Sequence, residues 1–188
     1  MTAIYIILGL VALVLIYGIA IYNKLVGLRV RTNEAWSDIT VQMKRRYDLV
    51  PNLVETVKGY AAHEKETLTG VINARNAAVA STGSPDEQAA NENIFSQALG
   101  KLIALSEAYP ELKANTNFNN LSAELAALED HIQKARRFYN GNVRELNTAV
   151  QEFPSNIIAG MFGFTLSEFF ELDEAEHTAV QQAPKVEF

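Results

Sequence analysis

The stretch 44-KRRYDLVPNLVETV-57 carries apolar residues at helical spacing on both sides of a proline, and the reading of Pro51 fixes how many helices the chain has. A proline inside a helix lacks the amide that bonds four residues back, and its ring crowds that carbonyl. At the first helical position neither cost arises. The spacing predicts that Pro51 opens a second helix after a tight corner at 48-DLVP-51, with Val50 pushed out of the helical region by the ring that follows. The alternative is a kink in one rod running to Ala80, about 85 Å long at 1.5 Å per residue, which the remaining helices, about 35 and 50 Å long, would not cover.

Outward from Pro51, the soluble part reads as helix throughout, because apolar residues recur at intervals of three and four and strand patterns are nearly absent. A first helix carries Leu28, Ala35, Trp36, Ile39 and Met43 and ends near Leu49. A second, from Pro51 to about Ala80, carries Leu53, Val57, Tyr60, Ala61, Leu68 and Val71. In 81-STGSPDE-87, Ser84 is the N-cap, Pro85 the first helical residue and Glu87 the capping-box partner of a third helix running to Pro110. The fourth keeps its spacing from Leu121 to Val150, and Pro154 ends it.

Ahead of this lies 3-AIYIILGLVALVLIYGIAIY-22, twenty residues without a charge. At 1.5 Å per residue they span about 30 Å, the thickness of a bilayer's hydrocarbon core. A cleaved signal peptide has a basic start and a shorter apolar run, so a membrane anchor is the better reading. Lys24, Arg29 and Arg31 follow the run, which places the N-terminus outside and the helical part in the cytoplasm of a bacterial inner membrane. The expected architecture is all-α, an N-terminal transmembrane helix continuing into an antiparallel, up-and-down four-helix bundle. Its parts are an anchor (1–23), the bundle (24–152), an apolar segment (153–170) and an acidic, disordered tail (171–188).

Charge narrows the function. The net charge is -6, against a nucleic-acid partner, yet 24–46 holds six basic and two acidic residues, a strip suited to anionic lipid. With no cysteine, disulfides, thiolate chemistry and Cys-bound metals are excluded. A di-iron site needs two Glu-x-x-His motifs, and only Glu174 with His177 forms one. No P-loop, Gly-x-Gly-x-x-Gly or Gly-x-Ser-x-Gly occurs. No catalytic residue, cofactor or metal is therefore assigned.

Polar groups beside the apolar stripes read either as solvated faces or as buried Arg–Glu networks that fix helix register. They are Arg45, Arg46, Asp48, His63, Glu64, Arg75, Glu107, Glu129, Arg136, Arg137, Asn140 and Asn147, with the network expected at Glu64, Glu107, Glu129 and Arg136. Trp36, Tyr109 and Tyr139, with Pro51, complete the structural or interaction candidates. The lipid-facing candidates are Lys24, Arg29, Arg31, Ile157, Ile158, Met161, Phe162 and Phe164. The apolar segment packs on the bundle, enters the lipid interface or meets another subunit.

The stretches RRYDLVPNLVETVKGYAAHE (45–64), INAR (72–75), EAYPELKANTNFNNLSAELAALED (107–130) and IQKARRFYNGNVRELN (132–147), with Phe153-Pro154, resemble the LemA family of bacterial membrane proteins. The resemblance runs from the anchor to about Pro154. It implies one N-terminal transmembrane helix, a bundle of long helices and an N-out arrangement, and it carries over no catalytic residue. The expected function is a non-enzymatic scaffold that self-associates and organises or remodels the membrane. Its partners would be lipid, further copies of itself and possible other membrane proteins. The alternative is an accessory subunit of a membrane protease or sensor.

Overall fold

The computed structural model describes residues 1–171, whose regular elements are all helices, with no strand among them. The acidic tail beyond Glu171, with Glu174 and His177, lies outside the described residues. The elements are α1 (Thr2–Lys58), α2 (Lys65–Ala80), α3 (Pro85–Leu105), a 3-10 turn (Ser106–Ala108), α4 (Pro110–Lys113), α5 (Thr116–Gln151) and α6 (Ser155–Met161). They form two compact units, Met1–Ile39 with Ala135–Glu168, and Thr40–Lys134 with residues 169–171.

Pro51 does not open a helix. It lies inside α1, which runs unbroken to Lys58, so the expected corner at 48–51 is absent. The apolar stripe shows why: Ile39, Met43, Val50, Leu53 and Val57 are all fully buried, and Arg46 completes the alternating steps of four and three across the proline. A corner would have broken this face. The chain turns instead at 59–64, where the Tyr60 and Ala61 amides both donate to the Val57 carbonyl. The rod therefore ends about twenty residues before Ala80. From Lys24 to Lys58 it is about 52 Å long, close to the 54 Å or so of α5.

In the second unit the cost of Pro51 is met by a side chain. The Tyr47 carbonyl, four residues before the proline, accepts a hydrogen bond of 2.8 Å from Arg75 Nε on α2. This replaces the missing backbone donor. Helices α2 and α3 form a hairpin, and Ser84 caps α3 by accepting from the Glu87 amide, with Pro85 at the first position, as the sequence predicts. Asn115 Oδ1 caps α5 in the same way, accepting from the Phe118 amide at 2.9 Å.

In the first unit α1 and α5 pack antiparallel. Trp36 meets Tyr139 with ring centroids 5.2 Å apart, while Leu25 and Leu28 share a cluster with Leu146 and Ala149. The apolar segment is packed onto this pair rather than trailing: Ala159 and Phe164 belong to the cluster. Gly163, at φ +69°, ends α6, and the Phe164 amide reaches back to the Ala159 carbonyl, a glycine C-cap that a side chain at this φ would strain. Residues 2–20 are largely bare, with Val14 71% exposed. A helix this long and apolar, left uncovered, is that of a membrane protein.

If Arg75 stands in for the proline's missing amide, Arg75→Ala should cost about 1–3 kcal/mol by leaving a buried carbonyl unsatisfied. Pro51→Ala restores a backbone donor, so most of that loss should vanish in the double variant. Thermal unfolding followed by circular dichroism would show it; strictly additive losses would rule out the substitution of one donor for the other.

Candidate functional site

The most concentrated chemistry among the described residues lies in the second unit, around a single cation. Arg46 continues the buried stripe of α1 and is 2% exposed. One guanidinium nitrogen pairs with Glu92 of α3, and the other bonds Glu129 of α5 and, at 3.3 Å, Ser96 Oγ. The guanidinium also lies 5.0 Å from the Phe95 ring centroid, within cation–π range. Glu92 is 1% exposed, and its second oxygen accepts from the Tyr47 hydroxyl. Burial raises the Tyr47 phenol above its usual range, against the opposing pull of Arg46 and of a hydrogen bond to Gln88. Arg46 Nε is buried without a hydrogen-bond partner.

This arrangement joins three helices through one planar cation. Two carboxylates at fixed angles to a guanidinium set rotation and register together, which apolar packing alone leaves looser. No nucleophile is paired with a base in it, and no group of three or more potential metal-ligating side chains occurs among the described residues.

Of the four residues expected to form a buried network, Glu129 is bonded to Arg46, while Glu64 and Glu107 have other partners. Glu107 is exposed and pairs with Lys113 at 2.6 Å. Glu64 is half-buried and accepts from the Tyr109 hydroxyl at 3.1 Å, a bond that raises the Tyr109 phenol. Arg45 and Asp48 are exposed on α1, while Arg136 and Asn140 are half-buried and engaged with neighbours. Glu92, Tyr47 and Ser96 escape the sequence reading. The signal for Glu92 was its place three residues after Ala89 and three before Phe95, both buried.

In the first unit polar side chains hold down the chain that follows α6. The Asn147 carboxamide exchanges two hydrogen bonds with the Ser167 backbone, at 2.8 and 2.9 Å. Tyr139 donates to the Glu168 carbonyl at 2.8 Å. Its phenol is pushed up to about 12, first by burial and then by the Glu168 charge. Of the lipid-facing candidates, Lys24, Arg29, Arg31, Ile157, Met161 and Phe162 are exposed, Ile158 is half-buried and Phe164 is buried. Arg29 lies 4.8 Å from the Phe164 ring centroid.

Two outcomes check these assignments. Arg46→Met strands a buried carboxylate and should cost about 3–5 kcal/mol, whereas Arg46→Met with Glu92→Met should cost less than the two single losses together. Tyr139 keeps its proton to higher pH folded than unfolded, so its contribution is intact below about pH 10 and declines as pH rises toward 12. Alkaline unfolding of wild type and Tyr139→Phe would reveal it, the stability gap between them narrowing over that window.

With the geometry in place, comparison with known proteins gives the chain its relatives. Two magnetosome proteins of Paramagnetospirillum magneticum, MamQ 1 and MamQ 2, are each 26% identical over 184 residues, covering 85% of this chain and 68% of the relative. Protein LemA of Metamycoplasma hominis is 26% identical over 162 residues, covering 84% and 72%. The profile of the LemA family matches residues 35–188, a stretch that takes in the second unit, part of the first and the cation of the buried cluster, and the chain belongs to that family.

Proposed function

We propose that the chain is a non-enzymatic scaffold that self-associates and organises or remodels the membrane in which it is anchored. One observation carries this reading. The anchor passes into the amphipathic part of α1 with no break and no linker, and that part is clamped within the first unit by α5 and α6. A tether would be expected to have a flexible joint; here the helix leaving the bilayer is the one that the folded unit is built on. Lys24, Arg29 and Arg31 follow at the exit and suit an anionic surface, about 1 kcal/mol for each charge near it. They favour an inner membrane with the N-terminus outside and the folded part in the cytoplasm.

The buried polar groups support a structural role, since the guanidinium of Arg46 and the carboxylate of Glu92 are spent on helix contacts and are closed to solvent. The magnetosome proteins among the relatives agree with a membrane-associated role. Trp36 and Tyr139 pack with their rings tilted, and Tyr139 is 3% exposed, so its phenol offers a partner subunit little to grip.

Cryo-electron microscopy of the full chain, in detergent and in anionic liposomes, tests the reading. Particles of several copies and deformed vesicles are the expected result. Single 20.8 kDa copies on smooth vesicles would refute it and favour an accessory subunit awaiting another protein.

A further inference from the structure

We infer that residues 153–166 form an apolar wedge lying in the leaflet that α1 leaves, set against the last turns of the membrane-crossing segment. The inference deepens the proposed function and rests on residues 3–22 crossing the bilayer. It starts from depth. A β-carbon built on Gly18 would lie 3.7 Å from Ile158 Cδ1, so α6 packs against α1 four residues before Tyr22, the end of the uncharged run. At 1.5 Å per residue that is about 6 Å inside it, within the 5–10 Å or so at which in-plane helices sit. Tyr22 itself meets Phe162 and Phe164, at centroid distances of 4.7 and 5.9 Å. Phe153 lines an open groove of about 410 Å³ with Tyr17, Ala20 and Ile21, again on the apolar run.

The outer face completes the case. Phe153, Ile157, Met161, Phe162 and Leu166 are between 53% and 77% exposed. No charged residue occurs from Pro154 to Ser167, and Glu152 and Glu168 stand close outside those limits. In water this would be an unusual concentration of bare apolar groups on fourteen residues held in place. The face is continuous with the exposed Tyr17 of α1, which lines the same groove as Phe153, and the exposed Val14 and Leu15 lie on the Gly18 side of that helix. Anything covering it must be at home beside those residues as well, and the occupant with that property is lipid. A wedge on one side of the span and in one leaflet adds area to that leaflet alone, which is the asymmetry that bends a bilayer.

The chain has one tryptophan, Trp36, so single-tryptophan reporters can be placed in a Trp36→Phe background of the full-length protein. Phe162→Trp and Met161→Trp report on the wedge, Tyr5→Trp on the span and Phe138→Trp on the exposed surface of α5. Each is reconstituted into phosphatidylcholine vesicles with bromine on the acyl chains, with helix content verified by circular dichroism. The expected result is several-fold quenching of both wedge reporters, strongest for bromine near the headgroup end, quenching of Tyr5→Trp, and none of Phe138→Trp. Quenching of Tyr5→Trp with both wedge reporters silent would overturn the wedge and leave the anchor standing. Silence at all of them would overturn both.

Discussion

Pro51 takes one amide out of a 57-residue helix seven residues before its end, and the carbonyl it leaves behind, on Tyr47, is served by Arg75. Much of the second unit depends on that single bond. Because α1 continues, Arg46 and Tyr47 keep their helical phase relative to Val50, Leu53 and Val57, and all five side chains enter one interior. The bond is also long-range in sequence, 28 residues apart, so it ties α2 to the one place in α1 where the helix is weakest. Proline and arginine thus act as a pair: the ring creates a site, and the guanidinium occupies it.

The buried cluster one turn earlier obeys a different constraint. A guanidinium and a carboxylate removed from water lose several kcal/mol of hydration each, and their attraction only partly offsets it. An interior of leucines would serve stability as well or better. What the charged arrangement adds is directional information, since Arg46 is bonded by groups on both α3 and α5. Stripes of alternating three and four spacing allow neighbouring helices to slip by a heptad at modest cost. Such a slip would separate Arg46 from Glu92 and Glu129 and leave ions stranded.

These two features mark the limit of what the sequence could disclose. Helix type, the N-cap at Ser84 and the long stripe of α5 were legible because each is written locally, in spacing and in turn residues. The course of α1 through Pro51 was not, because the compensating donor lies on another helix. Length arguments then favoured a corner, on the assumption that one rod would run to Ala80, when the turn at Gly59 and Tyr60 ends it sooner. The stripe itself held the better clue, with Arg46 in the register of Met43 and Val50. An arginine in a core position demands carboxylates, and Glu92, flanked by Ala89 and Phe95, was the acid placed to answer. The candidates Glu107 and Arg45, by contrast, look the same in a sequence whether they are buried or bathed in water.

The first unit is under a packing constraint of its own. Its α1 leaves an apolar segment and must acquire a partner before its own inward face meets water. That partner is α5, running back along it, and then the chain after α6, which the Asn147 carboxamide and the Tyr139 hydroxyl bind by its backbone. Backbone contacts of this kind ask little of the side chains at Ser167 and Glu168, so the outward residues of the segment are free to be chosen for what they face. The inward ones are not: Ala159 and Phe164 are fixed by the cluster, and Gly163 by its positive φ. Seven residues of α6 are too few to be stable alone. Their position is therefore a property of α1 and α5 rather than of α6, and an apolar surface held this way keeps its depth beside Gly18 and Tyr22 while its outer face is left to the surroundings.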